Sequence, residues 1–115
     1  MRLDALVLFG SRAREEAAET SDWDLAVISH HFDGLNPLER ALRLVDCLAP
    51  GVEFVYLTPA ELENPVLSYL RCAILEEGLP IVDRGAFASA RARYENEKAA
   101  GHIRFRGALV EFDLD

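Results

Sequence analysis

The sequence predicts an α/β domain, α+β-like in layout, with a mixed β-sheet of about four strands packed by helices. Three observations predict it. Short apolar runs of strand length, ALVLF at 5–9, VEFVYL at 52–57 and LPIVD at 79–83, alternate with segments whose apolar residues recur at helical spacing. Two helix starts carry full N-terminal signatures: Asn36-Pro37 with Glu39, and Thr58-Pro59 with Glu61. The link between the first two strand candidates suits a tight connection better than a full crossover helix, so those strands are expected antiparallel and the sheet mixed.

The elements follow in chain order. ALVLF ends in Gly10-Ser11 and reads as a buried strand. Residues 12–19, RAREEAAE, are charged and Ala-rich and are expected as a short exposed helix, broken at Thr20 and Ser21. Residues 22–29, DWDLAVIS, read as the second strand, with Trp23 on the core side. His30 to Leu35 is a loop with Asp33-Gly34, and a place at the edge of the site is expected for His30-His31. The helix opened by Asn36 carries a stripe of Leu38, Ala41, Leu42, Val45 and Leu48 until Pro50-Gly51 stops it. VEFVYL is the third strand, followed by the short helix that Thr58 opens. A further helix starts at Asn64-Pro65, with Val66, Leu67, Leu70, Ala73 and Ile74 as its stripe and Gly78 as a C-terminal cap. LPIVD is the fourth strand, and residues 86–100 form a last helix. Residues 102–112 read equally as a strand or an ordered tail. Residues 1–85 are expected to hold the main unit, with 86–115 a C-terminal helix and tail of the same single domain.

Composition bounds the function. The 115 residues suit one domain, and a half-hydrophobic chain with 28% charged residues can build a packed core. A net charge of -8 argues against a broad nucleic-acid surface, which needs clustered Lys and Arg, and leaves small ligands and basic proteins open. Cys47 and Cys72 lack metal-type spacing and are expected as buried free thiols. The opening MRLDALVLFG is too short and acidic for a signal peptide, and no stretch approaches about 20 apolar residues, so a cytoplasmic place is expected. The run at 89–106 concentrates Lys and Arg and reads first as a solvated helical face, with partner docking, and Phe105 and Phe112 as anchors, as the second reading.

The chemistry concentrates in LFGSRAREEAAETSDWDLAV, residues 8–27. Asp22 and Asp24 are two apart on a strand, so their carboxylates share a face about 6.6 Å apart along the chain. Two such acids can hold hard cations, and a pair of magnesium ions is the usual clamp on phosphoryl transfer. Gly10-Ser11 closes a strand with backbone N–H groups available to a phosphate, and Ser11 adds a hydroxyl. Arg12 and Arg14 are placed to neutralise phosphate charge. Glu53 is an acid within an apolar strand, on a face expected to be half buried. If that strand neighbours the second one, Glu53 completes a three-carboxylate cage or serves as general base.

Gly-Ser, ten residues, then Asp-x-Asp is the pattern of polymerase-beta-like nucleotidyltransferases. LFGSRAR…SDWDLAV most resembles the minimal nucleotidyltransferases of bacteria and archaea, and the later EEGLPIVD is similar too; the likeness covers residues 5–83. The resemblance implies the nucleotidyltransferase fold and transfer of a nucleoside monophosphate, usually AMP from ATP with two magnesium ions (Mg2+), onto a hydroxyl. By position, Gly10 and Ser11 would hold the triphosphate with Arg12 and Arg14 beside it, Asp22 and Asp24 would bind the metals, and Glu53 would stand where the family's third carboxylate, usually Asp, sits. Many minimal members act as the antitoxin of a HEPN-domain partner, and some adenylate a tyrosine of that toxin. This chain departs from the family in carrying Glu15 where Gly is frequent, Glu53 for Asp, and no helix before the first strand. Two further readings stay open: an antitoxin or binding subunit that sequesters its partner with little catalysis, which Glu15 and Glu53 favour, and a subunit whose acceptor site needs a second chain.

Overall fold

The computed structural model describes residues 1–16, 21–64, 69–106 and 109–112, with side chains through Ile103. Four strands, β1 (Ala5–Phe9), β2 (Trp23–Ile28), β3 (Val52–Leu57) and β4 (Leu79–Asp83), form one sheet in the order β3-β2-β1-β4. β1 runs antiparallel to both β2 and β4, and β2 parallel to β3. The sheet is therefore mixed, as the short first link predicts. Among the described residues the helices are α1 (Pro37–Arg43), α2 (Pro59–Glu63), α3 (Tyr69–Glu77) and α4 (Ala86–Ala99); 3-10 turns cover His30–Phe32 and Val45–Cys47. Within residues 102–112, β5 (Ile103–Arg106) and β6 (Leu109–Phe112) pair antiparallel.

Alternation puts Ala5, Val7 and Phe9 of β1 and Ala26 and Ile28 of β2 on one face, where they join Leu62, Cys72, Ile74, Leu75, Phe87, Ala90, Tyr94 and Ile103 in a single buried cluster. Phe87, Ala90, Tyr94 and Ile103 thus share the core of the strands before them. Both N-terminal signatures are realised as complete capping boxes: Asn36 with Glu39, and Thr58 with Glu61. Glu61 also accepts a hydrogen bond from Arg40, which in turn donates to the Leu35 and Tyr56 carbonyls. Burial raises the Glu61 carboxyl, but the hydrogen bonds from Arg40 and Thr58 outweigh it and hold it below the ordinary range. α4 begins at Gly85 without a side-chain cap of its own, yet Asp83 accepts from the Phe87 and Ala88 N–H groups and satisfies that turn from the end of β4.

Several expectations are corrected. Residues 11–15 form hydrogen-bonded turns, not the start of a helix; Thr20 and the rest of 17–20 lie outside the described residues. The reason is local: Glu15 sits at φ 59°, a left-handed conformation that ends a right-handed turn. Trp23 is 45% exposed at the mouth of β2, where the Arg12 guanidinium lies 4.3 Å from its ring centroid. The helix from Pro37 stops at Arg43, and its apolar stripe faces water, not core. Cys47 is exposed, while Cys72 is buried as expected and burial pushes its thiol up to about 11. Gly78 does not adopt the left-handed conformation of a C-terminal cap. The last carbonyls of α3 are met from outside instead: Arg91 on α4 donates to Leu75 O and Gly78 O. Of the expected α3 stripe, Val66 and Leu67 lie outside the described residues and Leu70 is exposed. The side chains of Phe105 and Phe112 also lie outside the described set. No helix among the described residues is long and apolar enough to cross a membrane.

Candidate active site

The candidate residues meet where β1 ends and β2 and β3 begin. Strand register does most of the work. Phe9 pairs with Asp24 across β1 and β2, so the Gly10-Ser11 turn opens directly beside Asp24. Asp24 pairs with Glu53 across β2 and β3, so these two carboxylates rise from adjacent strands on the same face. Asp22 precedes β2 by one residue, and the Trp23 N–H is fixed to the Gly51 carbonyl at 2.8 Å, which ties the start of β2 to the start of β3.

Glu53 is exposed on an edge strand, not half buried as its apolar neighbours suggest. Its carboxyl is nevertheless raised above the ordinary carboxylate range, first by the charge of Asp22, then by a shared hydrogen bond with Asp22 and the charge of Asp24. Repulsion between three acids causes the shift, with burial a lesser contribution. Among the described residues no three His, Cys, Asp or Glu side chains are set to hold one ion as they stand. The donors of the three acids are all carboxylate oxygen, the kind hard divalent cations such as magnesium take, so Asp22, Asp24 and Glu53 are the residues that could hold one.

Gly10 is required here by space as well as by conformation. Its φ is 76°, and a Cβ on it would sit 2.5 Å from Asp24 Oδ2. The Asp24 carboxylate thus rests over the bare Cα of the turn. Beyond Gly10 the chain turns back, with the Ala13 and Arg14 N–H groups donating to the Gly10 carbonyl. Among the described residues the Ser11 hydroxyl has no hydrogen-bond partner.

The arginines are placed differently from Ser11. Arg12 donates twice to the Ser21 carbonyl, at 3.2 and 2.7 Å, and covers Trp23, so it staples the two ends of the loop between β1 and β2. Arg14 pairs with Glu16 at 3.0 Å and with Glu77 of α3 at 2.7 Å. Glu77, 63 residues away in sequence, carries no local signal that links it to this loop. His30 and His31 lie at the far end of β2, where the His30 N–H donates to Asp4; the expected place at the edge of the site is not theirs.

The polymerase beta nucleotidyltransferase family model matches residues 1–83, which is more than half of the chain. The chain belongs to the polymerase beta nucleotidyltransferase family. This agrees with the resemblance read from Gly10-Ser11 and Asp22-x-Asp24. No curated protein matches it in sequence. Among solved structures, a suspected nucleotidyltransferase from Sulfolobus solfataricus superposes with a TM-score of 0.56 at 21% identity, covering 71% of this chain and 65% of that one, slightly under two thirds of its length. A toxin-antitoxin structure with AMP-PNP gives 0.53 at 22% identity over 87% of this chain and 81% of the other. A mutant of the toxin-antitoxin pair MntA-HpeT gives 0.50 at 20% identity over 85% and 79%. At these identities the likeness is one of fold.

Within this nucleotidyltransferase, two loop substitutions have opposite expected results. Gly10→Ala drives a methyl into the Asp24 carboxylate at a left-handed position, and transfer activity is expected to fall about a hundredfold as that carboxylate is displaced. A rate assay on folded Gly10→Ala protein checks it. Glu15→Gly relieves the left-handed strain at φ 59° and is expected to raise stability by about 0.5–1 kcal/mol, read as a shift in urea midpoint.

Proposed function

We propose that this chain transfers AMP from ATP to a hydroxyl acceptor, the acceptor being carried by a HEPN-type toxin partner, with two magnesium ions held at Asp22, Asp24 and Glu53. The observation that carries the proposal is the in-register pairing of Asp24 with Glu53 beside a Gly10 whose bare Cα takes the Asp24 carboxylate. Ser11 and the backbone of its turn would position the triphosphate. The acceptor oxygen attacks the α-phosphorus, the bond to the β-phosphate oxygen breaks, and pyrophosphate leaves. Magnesium, when bound, supplies the positive charge that holds the phosphates and lowers the charge on the attacking and leaving oxygens. Asp22 and Asp24 keep the acids of the site on one face, and Glu53 either shares the second magnesium or accepts the acceptor's proton. A solved toxin-antitoxin neighbour with AMP-PNP supports both the nucleotide and the partner class.

One observation favours the sequestering antitoxin as a second reading. Arg14 is already paired with Glu77 and Glu16, and Arg12 with the Ser21 carbonyl and Trp23, so neither guanidinium faces a triphosphate without first leaving a partner. Calorimetry with a non-hydrolysable ATP analogue separates the two. Binding that requires magnesium supports transfer; absence of binding with and without magnesium leaves sequestration.

Glu53 gives a further test at equilibrium. Its folded carboxyl holds a proton to higher pH than the ordinary 4.5, so the contribution of Glu53 to stability is lost as pH rises from that value through the raised one. Glu53→Gln does not titrate. In metal-free buffer it is expected to melt above wild type near neutral pH, with the difference vanishing in acid. An equal midpoint at both pH values would show that the three acids do not repel in solution.

A further inference from the structure

Several cations of this acidic chain are spent on its own groups. Arg14, Arg40, Arg71 and Lys98 pair with carboxylates, and Arg12 and Arg91 donate to carbonyls. Arg2 and Arg43 differ: among the described residues neither guanidinium has a hydrogen-bond or ion-pair partner. Both stand at the end of β2 away from Asp24. A concavity of about 320 Å³ is lined there by Arg2, Asp4, His30 and His31. A second, of about 380 Å³, is lined by Met1, His31 and Arg43. Each holds one guanidinium, and the two share one imidazole. The backbone beneath them is fixed. Ser29 is fully buried, and its hydroxyl donates to Arg2 O at 2.7 Å and accepts from the His31 N–H at 3.1 Å. It thereby ties the chain before β1 to the turn after β2. Asp4 accepts the His30 N–H at 2.8 Å, and Asp33 faces His30 Nδ1 at 3.3 Å, so these two acids are already engaged.

We propose that the two concavities together bind an anion with two phosphate-class groups, one held by Arg2 and one by Arg43, with His31 donating between them. A guanidinium recognises an oxyanion through paired N–H donors, and two concavities joined at one further donor suit two charged groups better than one. The site is separate from Asp22, Asp24 and Glu53. Asp24 to Ile28 spans about 13 Å of strand, and His30 and His31 follow after it. The net charge of -8 opposes the anion at long range, but physiological salt screens charges beyond about 8 Å and leaves the local cations to decide.

An NMR titration of the whole chain with pyrophosphate, in buffer containing EDTA, tests it. Without divalent metal the three acids repel the anion, so binding reports the second site. The His31 imidazole signals are expected to move and saturate, while the indole of Trp23, the chain's one tryptophan and at the other end of β2, stays in place. Inorganic phosphate, with a single group, is expected to bind about tenfold more weakly. Arg2→Ala and Arg43→Ala are each expected to weaken pyrophosphate binding about tenfold with an unchanged circular dichroism spectrum, since both residues are exposed. Asp4→Asn acts in the opposite direction, with binding about threefold tighter, since the amide oxygen still accepts from His30 and a negative charge is gone. His31 signals that stay still up to about 10 mM pyrophosphate overturn the proposal. Phosphate binding as tightly as pyrophosphate overturns it too. Binding that survives both arginine variants but is lost in Arg14→Ala, or that moves the Trp23 indole, places the anion at the candidate active site and overturns it equally. None of these readouts depends on nucleotidyl transfer.

Discussion

Changing Asp22 and Asp24 together to Asn is expected to lower nucleotidyl transfer about a thousandfold or more and to leave the fold intact. The two parts of the result have separate causes. Asp22 is exposed and Asp24 half buried at the mouth of β2, beyond the buried stretch from Ala26 to Ile28, so an isosteric amide disturbs no core contact. Activity falls because two charges are removed from the place where β2 and β3 bring acids together beside the end of β1. The same change removes the repulsion on Glu53, whose carboxyl should return toward its ordinary range; an NMR titration of that carboxyl reads this independently of turnover. Magnesium-dependent binding of the ATP analogue should vanish in the same variant. Persistent transfer in a folded double variant would remove these aspartates from the chemistry, and an unfolded one would show that they support the sheet.

How much of this was legible in the sequence depended on the range of the interaction. The caps at Asn36 and Thr58 were readable because a capping box closes within four residues. The antiparallel β1-β2 pair was readable because a short link leaves few alternatives. The meeting of Glu53 with Asp24 could be stated only conditionally, since it depends on β3 pairing with β2 in parallel. Periodicity found the α1 stripe but not its direction: a helical stripe shows that one face is apolar, and Arg40, by reaching Glu61 and two carbonyls, decides which face turns in. Residues 12–19 have helix-forming composition, yet the tie from Arg12 to Ser21 and the left-handed Glu15 hold the segment's first part as turns. Glu53 looked half buried because its sequence neighbours are apolar, whereas an edge strand leaves it in water.

Gly78 is the other position where one atom is expected to have a large effect, and the reason differs from the one its sequence context suggests. A glycine after EE at a helix end suggests a left-handed cap, for which Ala would cost about 1 kcal/mol. Its φ is not left-handed, and the constraint is crowding. A Cβ there would overlap the Ile74 carbonyl, come to 2.6 Å from Val7 Cγ1 and to 3.2 Å from Phe87 Cε1. None of the three can yield easily. The carbonyl is the acceptor for the Gly78 N–H, and Val7 and Phe87 are both buried in the cluster that joins sheet to helices. Gly78→Ala is therefore expected to cost about 3 kcal/mol, at the upper end for overpacking, because it separates α3 from β1 and α4 together. Urea unfolding followed by circular dichroism measures it, and Val7→Ala supplies the control. If the close approach to Val7 is the dominant strain, Val7→Ala should cost less in the Gly78→Ala background than in wild type. Additive losses would place the strain in the backbone at Ile74.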